Sequence, residues 1–228
     1  MFYISLCSLP LLPYIDLTGF EPSRITVIEG PSSMVPDVLF SLCAASAASG
    51  RDAVFVDGWN SFNPYALSKM AKSLGAEARK MLSRIHVARA FTEYQMDALL
   101  GESLCNSIER WAPAVLAISY LPSLFSSSDG RRLFEPLLER LKSLTCTSGI
   151  ITAVTSFGGQ WYGDRLLAAR ADRVVRIEEK RKLIRIIDNG RVTEYMPVPR
   201  GQMRFADFTD FTGGDAHGQD CANFSCPA

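Results

Sequence analysis

The chain has no net charge, because 24 Lys and Arg offset 24 Asp and Glu. That excludes a polycation held on nucleic acid by bulk charge; any such binding must use a local patch. No uninterrupted run of about 20 apolar residues occurs, so no membrane-spanning helix is expected. The six cysteines, Cys7, Cys43, Cys105, Cys146, Cys221 and Cys226, include no C-x-x-C pair. Cys43 and Cys146 lie in apolar stretches and read as buried thiols, usage that suits a reducing compartment better than a secreted disulfide framework. There is no G-x-S-x-G elbow for Ser-His-Asp catalysis. His217, Cys221 and Cys226 lack standard zinc spacing, so no metal site is expected. There is also no internal repeat.

What is present bounds the architecture. The 228 residues are 47% hydrophobic and 21% charged, enough for a sizeable core and against wholesale disorder. The apolar N-terminus lacks a basic leader and carries Pro10 and Pro13, so a signal peptide is not expected and an intracellular site is, cytoplasmic or, in a eukaryote, nuclear.

Strands and helices alternate along the middle of the chain. Ile25–Glu29, Ala53–Asp57 and Ile85–Arg89 read as strands, as do residues 115–120 and 150–155. Helices are expected over residues 36–49, 63–74, 77–83, 92–111 and 131–144. Residues 173–178, 183–188 and 191–196 follow as strands, two of them joined by the Asp188-Asn-Gly190 turn. Apolar strands separated by helices indicate a mostly parallel sheet covered on both faces, with an antiparallel edge added at the end. The expected organisation is an apolar segment over 1–22, a core over 23–200 and a loose tail over 201–228.

Residues 30–37, Gly-Pro-Ser-Ser-Met-Val-Pro-Asp, stand where a strand meets a helix, the place of a phosphate loop G-x-x-x-x-G-K-[ST]. Gly30 supplies the first glycine. The second has become Val35, the lysine Pro36 and the magnesium-holding Ser/Thr Asp37. Pro36 offers neither a cation nor an N–H, and Asp37 would repel a triphosphate.

Three stretches resemble the ATPase core of the RecA/RadA recombinase superfamily, archaeal RadA and its shorter paralogue RadB in particular. Arg24-Ile-Thr-Val-Ile-Glu-Gly30 is similar to the strand entering the phosphate loop. Ala53-Val-Phe-Val-Asp-Gly-Trp-Asn-Ser-Phe-Asn-Pro64 resembles Y-I-D-T-E-x-x-F-x-P-E-R. Arg84-Ile-His-Val-Ala-Arg-Ala-Phe-Thr-Glu-Tyr-Gln-Met96 resembles N-I-x-x-A-R-A-x-x-x-x-H-Q and is the most specific. The resemblance implies a RecA-like α/β core.

On the same resemblance, the catalytic glutamate position is Trp59, the magnesium-supporting aspartate Ser119, and the Asn-Gln pair that senses the γ-phosphate Ser156-Phe157. Losses at four separate points imply a pseudo-ATPase with no catalytic residue, and ATP binding is doubtful. Two loops that bind single-stranded DNA in recombinases correspond to residues 123–132, with Arg131 and Arg132, and 156–165, with Phe157, Trp161, Tyr162 and Arg165. Aromatic rings beside a cation suit base stacking, and equally suit a protein partner. Phe2, Tyr3 and Ile4 fall where related proteins lend a strand and a phenylalanine to a neighbouring subunit, though an edge strand of its own sheet is an equal alternative. The expected role is accessory to homologous recombination and DNA repair, through a recombinase or RecA-like partner, single-stranded DNA, or both. The alternative is a KaiC/RecA-like regulatory scaffold that works through protein contacts alone. The densest basic cluster, from Arg170 to Arg185, is interleaved with carboxylates, and His86 reads as a core histidine.

Overall fold

In the computed structural model, residues 19–30, 35–180 and 183–196 are described. Phe2, Tyr3, Ile4, His217, Cys221 and Cys226 lie outside them, as do phosphate-loop positions 31–34. Eight strands form one sheet: β1 Ile25–Glu29, β2 Ala53–Asp57, β3 Ile85–Arg89, β4 Val115–Ser119, β5 Ile151–Ser156, β6 Arg173–Lys180, β7 Leu183–Asp188 and β8 Arg191–Tyr195. Their spatial order is β3-β2-β4-β5-β1-β6-β7-β8. The first six are parallel, and β6-β7-β8 close the edge as antiparallel hairpins.

The strands are continuous apolar runs because both faces are covered. Alternate residues feed two cores. Ile28, Phe55, Ala117 and Ala153 face helices α1 (Val35–Ala48), α2 (Pro64–Ser73) and α3 (Ala78–Leu82). Val27, Val54, Val56, Leu116, Ile118 and Val154 face α4 (Glu93–Ala98), α5 (Leu104–Trp111), α6 (Ser128–Ser148) and α7 (Tyr162–Arg170). Helix α1 buries the small residues Ser41, Ala44, Ala45, Ser46 and Ala47 beside Val38, Leu39, Phe40 and Leu42, and the small ones let it lie close to the sheet. Ser41 donates to the Asp37 carbonyl at 2.7 Å and Ser46 to the Asp52 carbonyl at 3.0 Å, so neither hydroxyl is left unpaired.

Three expectations are corrected. The single helix over 92–111 is broken by a π-helical turn, Leu99–Ser103, where Gly101 has ψ −123°. Residues 123–132 are no loop. Leu121–Phe125 is a buried 3-10 turn, and Ser127 caps α6 by accepting from Gly130 N at 2.8 Å, so Arg131 and Arg132 sit in the first two turns of a helix. Cys43 is buried but Cys146 is exposed. The apolar stripe of α6 runs Phe134, Leu137, Leu138, Leu141 and Thr145, and Cys146 falls off it. β3 is an edge strand, and His86 is half-buried, its ring stacked on Trp111 with centroids 3.7 Å apart.

Helix α7 meets α6 and the 3-10 turn at a glycine. A Cβ on Gly163 would lie 2.7 Å from Phe134 Cε1 and 3.1 Å from Pro122 Cβ, and the Phe134 ring is fully buried. We predict that Gly163→Ala loses about 1–2 kcal/mol in urea unfolding, overpacking outweighing the helix propensity of alanine. An unchanged or higher midpoint would show that α7 can lift away.

Candidate functional site at the carboxyl ends of the strands

Open parallel sheets place ligands beyond the carboxyl ends of their strands. At this end β2 finishes in Asp57, which is fully buried. Its Oδ1 accepts from Ser61 N at 2.9 Å, Trp59 N at 3.3 Å, Ser61 Oγ at 3.2 Å and Ser119 Oγ at 2.8 Å. Its Oδ2 accepts from Phe62 N at 3.1 Å and Arg89 Nε at 3.1 Å, with Arg89 Nη2 at 3.0 Å. One carboxylate therefore ties the ends of β2, β3 and β4 together. Gly58 follows with its N–H on Ser119 O at 3.2 Å; a Cβ there would meet that oxygen at 2.7 Å, so the close approach requires glycine.

Burial alone would raise the Asp57 pKa, but the hydrogen bonds from Ser61, Phe62, Ser119 and Trp59 outweigh it and hold the carboxyl below its usual value of 3.8. A depressed carboxylate contributes stability that is present above the unfolded value and lost as pH falls through the folded one. Asp172, held by Ile25 N and Lys142, is also lowered and has the same sign. Asp37 is raised by burial and has the opposite sign, costing stability when charged at neutral pH.

Beyond Asp57, the positions expected to have lost catalytic groups lie close together. Trp59 stands against Phe157 with centroids 5.2 Å apart and against Tyr120 at 6.2 Å; Tyr120 stacks on Phe157 at 4.2 Å. Ser119, directly before Tyr120, is spent on Asp57 and Gly58. Ser156 is fully buried, accepting from Gly158 N at 3.2 Å through its side chain and from Gly30 N at 3.1 Å through its carbonyl. Tyr120 sits in the left-handed region at φ 46° and is fully buried. Its N–H donates to Thr155 Oγ1 at 2.8 Å, its hydroxyl has no partner, and burial pushes the phenol up to about 12.

At the place where the sequence pattern expects a phosphate loop, β1 ends in a buried carboxylate. Glu29 accepts from Arg176 Nε at 3.0 Å and Nη2 at 2.9 Å, and Gly30 follows it. Val35 is buried as the first residue of α1, with Pro36 and Asp37 half-buried in the same turn.

The loop after β5 is shorter than expected. Asp164 is 1% exposed and its Oδ2 accepts from Gly159 N at 2.8 Å and Trp161 N at 2.9 Å, so α7 already begins at Tyr162. Tyr162 and Arg165 are exposed on its first turn, and the Arg131 guanidinium lies 4.9 Å from the Tyr162 ring centroid, joining the two segments. The described members of the basic cluster are paired with carboxylates: Arg170 with Glu135 and Glu139, Arg173 with Asp188, Arg176 with Glu29, Lys180 with Glu178 and Arg185 with Glu194. Among the described residues, no group of three or more His, Cys, Asp or Glu is placed to hold a metal ion, and no helix is long and apolar enough to cross a membrane.

Sequence reasoning missed three participants. Tyr120 was legible only as the last residue of an apolar strand, and Arg89 only as part of a motif. Glu29 pairs with Arg176, 147 positions away, and no local pattern signals that.

No protein-family model matches the chain. A solved structure of the RadB recombinase aligns with a TM-score of 0.64 at 19% identity, over 80% of this chain and 91% of that one. The chain has a RecA-like fold: a mostly parallel sheet flanked by helices, with antiparallel strands at one edge. The RecA-like core expected from the three motif stretches is the fold observed.

Removing the Asp57 charge strips Arg89 and three backbone N–H groups of their shared acceptor. We expect Asp57→Asn to cost about 3 kcal/mol at pH 7. Urea midpoints from pH 7 down to pH 2 should fall more steeply below about pH 4 for the wild type than for the variant. Parallel curves would remove Asp57 from the acid response.

Proposed function

We propose that the protein is a catalytically inactive RecA/RadA-like paralogue, accessory to homologous recombination and DNA repair, that works by binding. Its partners are a recombinase or RecA-like protein, single-stranded DNA, or both. The observation that carries this reading is the contact among Trp59, Tyr120 and Phe157. On the family's pattern these positions lie at or beside the catalytic glutamate, the magnesium-supporting aspartate and the γ-phosphate sensor. The three packed rings themselves supply no oxygen ligand for magnesium and no group to orient a water. Glu29 and Asp37 add two carboxylates where a triphosphate would lie.

A second reading, a regulatory scaffold without nucleic acid, draws on a separate observation. The first DNA-loop segment is a buried 3-10 turn and a helix, and the described members of the basic cluster are paired with carboxylates.

Purified protein is expected to release no phosphate from magnesium-ATP above the protein-free control, with or without single-stranded DNA. Magnesium-dependent turnover that disappears in Gly30→Ala or Asp57→Asn, in protein still folded by circular dichroism, would falsify the inactive reading. Anisotropy of a labelled oligonucleotide across a salt series separates the two binding readings. A signal that weakens with salt and is lost in Trp161→Ala/Arg165→Ala supports DNA contact, and no signal at low salt supports the scaffold.

A further inference from the structure

Residues 65–84, which span helices α2 and α3, carry Lys69, Lys72, Arg79, Lys80 and Arg84 against one carboxylate, Glu77. In a chain whose charges sum to zero, an excess of four positive charges is gathered here. All five cations are exposed. Lys80 is paired with Glu77 at 2.9 Å, and Arg84 reaches Asp52 at 3.9 Å. Lys69, Lys72 and Arg79 form no ion pair with the described residues. That sets this face apart from the Arg170–Arg185 cluster, whose described members are matched by carboxylates. Helix α1, which packs against both α2 and α3, has one charged residue, Asp37, half-buried in its first turn.

The fold fixes which way these side chains face. Helix α2 starts at Asn63, whose side chain accepts from Tyr65 N at 3.0 Å and Ala66 N at 3.2 Å, and Pro64 opens the first turn. Leu67, Met70 and Ala71 are buried in the core beneath. Tyr65, Lys69 and Lys72 recur at i, i+4 and i+7, so they share the outer face along about 10 Å of helix axis. Tyr65, at their head, is 85% exposed. On α3, Met81 is buried, and Arg79, two positions earlier, lies on the opposite side. The face therefore presents a bare ring followed by a row of unmatched cations.

We propose that this face holds a single strand of nucleic acid, with Lys69, Lys72 and Arg79 on its phosphates and Tyr65 stacked on a base. The proposal rests on the reading above that the protein works by binding, single-stranded DNA among its partners. It puts the contact outside both segments, 123–132 and 156–165, that the sequence pattern assigns to DNA. Charge complementarity selects the occupant class: lysine is depleted from protein–protein interfaces and, with arginine, supplies phosphate contacts. The apolar side of α2 is spent on the core, so the helix has none to insert into a lipid surface. A ring this exposed beside cations matches an unpaired base, whose face is open, better than a duplex, whose base faces cover one another.

The test is the anisotropy of a labelled oligothymidine with the full chain, from about 50 to about 300 mM salt. A Kd of about 10 μM is expected at the low end, with a slope of log K against log salt of about −2 from three phosphate contacts. Lys69→Ala/Lys72→Ala is expected to weaken binding about tenfold and bring the slope to about −0.7. Tyr65→Ala should weaken it about tenfold and leave the slope alone. Lys69→Arg/Lys72→Arg keeps both charges and should bind as the wild type does. Arg191→Ala, which removes an exposed cation from β8 at the far edge of the sheet, should change neither quantity. Every substituted position is exposed, and thermal melts verify that each variant is folded. A slope indifferent to Lys69→Ala/Lys72→Ala overturns the proposal, and if binding is instead lost in Trp161→Ala/Arg165→Ala, the DNA reading stands without it. A duplex bound as tightly as the single strand, with no effect of Tyr65→Ala, overturns the single-strand assignment. Polyglutamate or phosphatidylserine vesicles that bind through Lys69 and Lys72 while the oligonucleotide does not would overturn it as well, assigning the face to an acidic protein or a membrane. Magnesium-ATP turnover in the same sample would remove the inactive reading independently of these results.

Discussion

A single buried carboxylate organises this molecule. Asp57 receives donors from the turn after its own strand, from Arg89 at the end of β3 and from Ser119 at the end of β4. The three strand ends it joins are the central part of the carboxyl-end surface. A buried anion would normally be a liability, and here it is tolerated because nearly every lone pair has a donor and the Arg89 guanidinium matches its charge. The positions of Trp59, Tyr120 and Phe91 all follow from strand ends that this one group locks together. The aromatic surface is therefore carried on a rigid floor and not on free loops.

The electrostatics divide along the sheet. Around the antiparallel edge, opposite charges meet at short range: Arg173 with Asp188, Arg185 with Glu194, Arg176 with Glu29. On α6 and α7, Arg131 and Arg165 lack carboxylate partners among the described residues and stand beside Tyr162 and Trp161. What the surface offers is local and mixed, in keeping with a chain whose charges sum to zero.

Elements set by short-range rules were legible in the sequence. β1, β2 and β3 coincide with their expected bounds, because an apolar run closed by Glu, Asp or Arg can be read locally. The helix after β4 was missed at its start because Ser127 and Gly130 look like loop residues. Gly130 is in fact packed so tightly that a Cβ would lie 2.9 Å from the Phe125 backbone. The break at Gly101 and the exposure of Cys146 depend on which face of a helix meets the sheet. For the candidate site, the substituted positions could be read one at a time from the family's pattern. That Trp59 and Phe157 touch, and that Tyr120 completes the group, depends on β2, β4 and β5 ending side by side, which is a property of topology and not of spacing.

Tyr120 holds a left-handed backbone, a conformation that costs a bulky residue about 1–2 kcal/mol, and its ring is wedged against two others. The three rings are therefore energetically coupled: the benefit of each depends on the other two being present. A polar side chain introduced at Tyr120, the fully buried member, would be stranded against two apolar faces, while the backbone there stayed strained with less to offset it. Single substitutions here should be punished out of proportion to their size, and a change of all three together should cost less than the sum.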